Sequence, residues 1–184
     1  LLSLDGWLAL LVLAGTYSVW AFYGYITVLL AELYHISPGQ AAGYSACFPA
    51  GSGLGLVTAC LASCLLGVRF GRVAHLIQVT MGVCAMALLA INPDMALPKA
   101  LCLHATVGFG FVVPCYLPYF IFAASSNRNE RAFRLGVLDG LSCFLGVLMN
   151  YFYGRIRAAG TVQAAPKLMA MSMCGLLMSL VAMS

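Results

Sequence analysis

The sequence is poor in charge. Nine basic and five acidic residues make up 8% of its 184 residues, whereas a soluble globular domain carries about 25%. So little charge excludes an ordinary water-soluble domain, and a disordered chain needs more charge and far lower hydropathy. Alternation of apolar and polar residues at every second position is also missing, which excludes a transmembrane β-barrel. There is no P-loop to hold ATP phosphates, so an ATP-driven pump is not expected. Asp139 has no second intramembrane Asp beside it, as an aspartyl intramembrane protease requires. Cys60 and Cys64 lie one turn apart with no third or fourth ligand, and Met169, Met171 and Met173 alternate around a helix. Neither set makes a metal centre. No cofactor is expected. The net charge of +4 comes from two Lys and seven Arg against five acids, and these bases sit mostly between apolar runs. There they orient a membrane protein rather than bind nucleic acid.

What fills the sequence instead is apolar: 63% of the residues are hydrophobic. A spanning helix takes roughly 20 apolar residues, and the chain divides into six such segments, at about 7–33, 44–67, 73–91, 98–124, 135–154 and 166–184. The expected fold is an all-α membrane protein, a single bundle of six transmembrane helices in the lipid bilayer, built as two three-helix repeats. Breaker clusters separate the segments: Ser37-Pro38-Gly39, Asn92-Pro93-Asp94, Ser125-Ser126-Asn127 and Ala158-Ala159-Gly160. All eight cysteines fall inside apolar runs, where they act as small hydrophobes. The chain begins at Leu1 and its first apolar stretch is too long for a signal peptide. The expectation is a fragment of a longer chain.

Basic loops stay cytoplasmic. The second-to-third link holds Arg69 and Arg72, and the fourth-to-fifth link holds Arg128, Arg131 and Arg134. The first-to-second link has no Lys or Arg, and the third-to-fourth reaches only Lys99. Both ends of the segment are therefore expected in the cytoplasm. Arg155, Arg157 and Lys167 fall on the opposite side, where the arginines can extend the fifth helix and snorkel to the interface.

The link Leu65-Leu66-Gly67-Val68-Arg69-Phe70-Gly71-Arg72 resembles the G-x-L-x-D-R-x-G-R loop signature of the major facilitator superfamily. Arg69, Gly71 and Arg72 match its R-x-G-R. Val68 stands at the Asp position and Cys64 at the leading Gly, a degeneracy typical of the second half of such proteins. The resemblance implies half of a major facilitator fold, helices seven to twelve of a twelve-helix chain whose N-terminal half is missing here. It also implies secondary active transport of a small-molecule substrate by alternating access, coupled to protons or another ion, with the Arg69–Arg72 loop locking one conformation. Gly71 is expected to make the turn. Gly136-Val137-Leu138-Asp139-Gly140 resembles, more faintly, the organophosphate/phosphate antiporter branch. No basic residue lies at mid-membrane to bind a phosphate, and the branch stays unassigned.

Within the segments, the small-residue pairs Gly51/Gly55 and Gly136/Gly140 have GxxxG spacing and are expected to pack against neighbours. The fourth segment, with Gly108, Gly110, Pro114 and Pro118, is expected to kink. Tyr17, Trp20 and Gly24 share one face of the first segment, and His104, Phe111 and Pro118 a comparable face of the fourth, near Tyr116 and Tyr119. These are expected to line the substrate pathway, with core packing as the alternative. The substrate is then neutral, cationic or weakly polar, unless the missing half supplies charge. His104 and Asp139 are the titratable groups inside spans, and such groups are costly and often functional. His104 either titrates during transport or is a neutral packing residue. Asp139 either couples protons, gates by pairing with Arg69 or Arg131, or is a helix-end acid held by first-turn amides. Glu32 and His35 close the first segment as interfacial groups or an outer gate. Two other readings compete: a non-transporting scaffold or receptor, and a rhomboid-like serine protease. The second draws on Ala50-Gly51-Ser52-Gly53, which resembles G-x-S-G, with His104 as base.

Overall fold

Ser37-Pro38-Gly39, expected to separate the first two segments, stands between two helices and starts the second. Ser37 Oγ accepts from the Gln40 N–H at 3.3 Å, and Gln40 Oε1 accepts from the Ser37 N–H at 3.2 Å. This reciprocal capping box, with Pro38 in the first turn, is a strong helix start. The second membrane span therefore begins at Pro38, six residues before the expected Tyr44.

In the computed structural model, which describes residues 4–125, 128–158 and 161–183, the elements are α1 (Leu4–Tyr34), α2 (Pro38–Ser45), α3 (Cys47–Ile91), α4 (Leu97–Ser125), α5 (Arg128–Arg157) and α6 (Thr161–Met183). No strand occurs among the described residues. Six helical stretches are long and apolar enough to cross a membrane: Trp7–Tyr34, Pro38–Gly67, Phe70–Ile91, Leu97–Tyr116, Gly136–Ile156 and Ala164–Ala182. The protein is an all-helical, multi-pass membrane protein. Large apolar side chains face outward, among them Ile91, Leu65 and Val147. Water would penalise such a surface, and hydrocarbon does not.

The second span after α2 and the third span are two arms of α3, reversed at Gly67, whose φ of 70° and ψ of 178° only glycine adopts readily. Gly67, not Gly71, makes this turn. Gly71 lies inside the second arm, where the arms are closest: a Cβ there would stand 3.3 Å from Ser63 Cα and 3.4 Å from the Ala62 carbonyl oxygen. Arg69 and Arg72 thus belong to the start of a helix rather than to an extended loop. α1 ends through His35, at φ 52°, while the Ile36 N–H reaches back to the Ala31 carbonyl. This is a helix C-cap made without glycine. Tyr34 donates to the Met95 carbonyl at 2.9 Å, so the link after α1 and the link after α3 lie at the same end of the bundle.

α4 is helical throughout Leu97–Ser125, and Gly108, Gly110 and Pro114 do not interrupt it. The glycines bring helices together. A Cβ on Gly108 would collide with the Phe48 carbonyl, and one on Gly110 would lie 2.8 Å from Gly82 Cα. Gly15 of α1 and Gly175 of α6 make a second such crossing, where a Cβ on Gly175 would lie 2.6 Å from the Gly15 carbonyl. The expected Gly51/Gly55 packing occurs, against the backbone at Ala105 and Phe109. The expected Gly136/Gly140 packing does not: nothing among the described residues lies within 4 Å of a Cβ at either. The reason is that α5 turns that face away from its neighbours, as the exposure of Gly136 and Gly140 indicates. α5 also begins at Arg128, seven residues before the expected start. Asp139 is therefore about three turns into the helix, although still one turn into the apolar span. The side chains of Arg69, Arg128, Arg131, Arg134, Arg157, Pro118 and Tyr119 lie outside the described residues.

A candidate solute cleft

Three elements frame a cleft of about 490 Å³: α1, the α2–α3 segment before Gly67, and α4. The size falls within the range of small-molecule sites. α1 contributes Trp20, Tyr23, Gly24 and Thr27; the second span contributes Ser45, Phe48 and Ser52; α4 contributes Phe111, Cys115 and Tyr116. Close backbone contact at Gly51, Gly55 and Gly108 draws the second span onto α4 and closes the floor.

The walls are aromatic rings in mutual contact. Tyr23 stacks on Phe48, with 17° between planes, and Phe48 meets Phe111 at 5.3 Å between centroids. Trp20 stands edge-on to Phe111 at 5.8 Å. Phe111 is buried, while Trp20 is 53% exposed and offers its indole to the cleft. Tyr23 turns its hydroxyl away from the opening and bonds His104 Nδ1 at 2.9 Å. Among the described residues, none that lines the cleft carries a formal charge.

Of the residues expected on the pathway, Trp20, Gly24, Phe111 and Tyr116 line this cleft. His104 does not: it is buried behind the wall, bonded to Tyr23 and stacked on Phe22. Tyr17 packs toward α5, its ring against the position of Gly146. Asp139 and Arg72 are exposed and away from the cleft, and Gly71 is a packing residue of the α3 hairpin. Ser52 donates to the Phe48 carbonyl at 3.1 Å, so both members of the suggested Ser52–His104 dyad are engaged with other partners.

Reading the sequence missed the contribution of the second span. Its signal was present: Ser45, Ser52 and Leu56 recur at helical spacing around Phe48-Pro49. It also missed two buried polar junctions. Gln78, in the second arm of α3, donates to the Gly55 carbonyl at 2.9 Å and to the Phe109 carbonyl at 2.6 Å, joining the second, third and fourth spans. Tyr153 hydroxyl lies 2.7 Å from Ser172 Oγ and 3.3 Å from Ser18 Oγ, joining α5, α6 and α1. A second recess of about 340 Å³ adjoins the cleft through Leu56, Val112 and Tyr116 and holds His75, which bonds Ser63 Oγ at 3.2 Å. Among the described residues, no cluster of three His, Cys, Asp or Glu has the geometry of a metal site. Comparison with known proteins finds no match: no protein-family model, no characterised protein sequence and no solved structure is similar to the chain.

Proposed function

We propose that the chain is the C-terminal six-helix half of a major facilitator-like secondary transporter, carrying a small solute by alternating access. The observation that carries this reading is the cleft. It is an aromatic recess of solute size within the membrane-spanning part, chargeless among the described residues and framed by α1 and α4 together with the second span. These are the first helices of the two proposed triplets, and irregular or lining helices at corresponding places in two repeats point to a solute path.

The helix pairing supports two related triplets. α1 crosses α6 at Gly15 and Gly175, as α4 crosses the third span at Gly110 and Gly82. α1 meets α5 at Tyr17 and Gly146, as α4 meets the second span at Gly108 and Phe48. Exchanging first for fourth, second for fifth and third for sixth maps one set onto the other. The polar junctions follow the same exchange: Gln78 joins spans two, three and four, and Tyr153 with Ser172 joins five, six and one. The basic ends near Arg69 and Arg128 are then cytoplasmic, with both ends of the segment on that side.

Solute uptake by the intact protein in proteoliposomes tests the proposal. Trp20→Ala should raise KM about tenfold, the loss of one well-placed aromatic contact. His104→Ala should act through Tyr23, with a smaller rise. Asp139→Asn, away from the cleft, should change the ion dependence or nothing, and leave KM unaltered. If no solute accumulates under any ion gradient, or Trp20→Ala leaves KM unchanged, the chain is not a carrier using this cleft.

A further inference from the structure

The transport reading leaves the solute open, and the cleft's own chemistry narrows it. Three facts bear on it. No lining residue is charged among the described residues. A compact ion entering from water would lose hydration with no opposite charge to replace it, and aromatic faces repay only part of that for a cation. Second, two rings of the lining are exposed, Trp20 and Tyr116, and their faces and edges suit another ring. Third, two of the three aliphatic hydroxyls in the lining already donate their proton to their own helix. Ser45 donates to the Ala42 carbonyl at 2.8 Å and Ser52 to the Phe48 carbonyl at 3.1 Å. A hydroxyl that has donated still has a lone pair to accept with. Toward a ligand, Ser45 and Ser52 are therefore acceptors.

We infer that the cleft binds an uncharged aromatic molecule carrying a hydrogen-bond donor, its ring against the exposed Trp20 indole that Phe111 buttresses and its O–H or N–H directed to Ser52. The inference rests on the cleft being the solute site and not on movement of the solute, so binding tests it separately from transport. Compact organic cations, phosphate esters and donor-free aromatics are the classes it rejects.

The test is saturable binding of tritiated naphthol to the intact protein in nanodiscs, corrected for partitioning into protein-free discs. Competitors are naphthol methyl ether, naphthyl phosphate, naphthyl trimethylammonium and the saturated alcohol decalinol. Naphthol should compete about fivefold better than its methyl ether, the range of one hydrogen bond, and at least about tenfold better than the two ions and decalinol. Ser52→Ala should weaken naphthol by about fivefold and leave the ether unchanged. Trp20→Ala and Phe111→Ala should weaken both by about tenfold. Ser52→Ala removes one exposed-side hydroxyl and leaves the fold intact, so it reads the site even if Phe111→Ala fails to fold. The inference is overturned by tighter binding of either ion, by equal binding of naphthol and its ether, or by no saturable binding at all. Naphthol bound as described but never transported leaves the inference standing and removes the transport reading.

Discussion

Gly110 and Gly53 stand on neighbouring helices and have opposite roles. A Cβ on Gly110 would lie 2.7 Å from the Gln78 carbonyl oxygen and 2.8 Å from the Gly82 nitrogen, both backbone atoms that cannot swing aside. Nothing among the described residues lies within 4 Å of a Cβ on Gly53. Gly110→Val should therefore lose about 3 kcal/mol of stability, the upper end of overpacking. Gly53→Ala should be neutral or gain up to about 1 kcal/mol from helix propensity. Thermal unfolding in detergent compares the two, and an equal effect would show that the α3–α4 contact is not this close. Gln78 is the other residue on which this contact depends. Gln78→Leu keeps the volume and removes both bonds to backbone carbonyls, at an expected cost of about 1–2 kcal/mol for hydrogen bonds within a membrane bundle. No change in unfolding temperature would mean those carbonyls find other donors.

At the scale of elements, the α3 hairpin is the sharpest case. Its reversal depends on the backbone of Gly67, and its close arms on the missing side chain of Gly71. Gly67→Ala forces a non-glycine residue into a region that costs about 1–3 kcal/mol. Gly71→Ala needs only a shift of a few tenths of an ångström. The first should lower the unfolding temperature clearly more than the second, and the reverse order would place the turn at Gly71 after all. The R-x-G-R string marked the right stretch of sequence, because a glycine between basic residues at the end of an apolar run is a local pattern. Which of two glycines four residues apart takes the positive φ was not local. It depends on how the two arms face each other, since residues 62, 63 and 71 must touch. The Ser37–Gln40 capping box was legible in principle, being a sequence pattern with its own mechanism. Pro38-Gly39 follows a break between two helices as expected, but it also opens the second, because of the cap before it.

For the molecule as a whole, six spans place successive links at alternating ends. The Tyr34–Met95 hydrogen bond puts two of those links together. Single cysteines at Ile36 and Asp94, in a protein cleared of its eight native cysteines, should label from one side of the membrane. A single cysteine at Arg72 should label from the other. Labelling of all three from one side would refute the six-span arrangement. The exposed faces of the bundle are apolar on most helices, so the same protein in water without detergent should aggregate rather than remain dispersed.

The sequence by itself determined the class of protein and the number of spans. Length and hydropathy of a segment are properties of consecutive residues, and a bilayer selects on those properties with no reference to neighbours. It also indicated which helices carry unusual residues, such as the aromatics of α1 and the Gly and Pro of α4. Tertiary structure alone decided what each one does. Trp20 and Tyr17 are three residues apart on α1, yet one opens on the cleft and the other packs toward α5. Gly51 and Gly136 have the same spacing to a second glycine, and only Gly51 has a helix against it. His104 looked like a pathway residue, and Tyr23 stands between it and the cleft. Each difference turns on which helix lies opposite, a relation between residues far apart in the chain that no local pattern encodes.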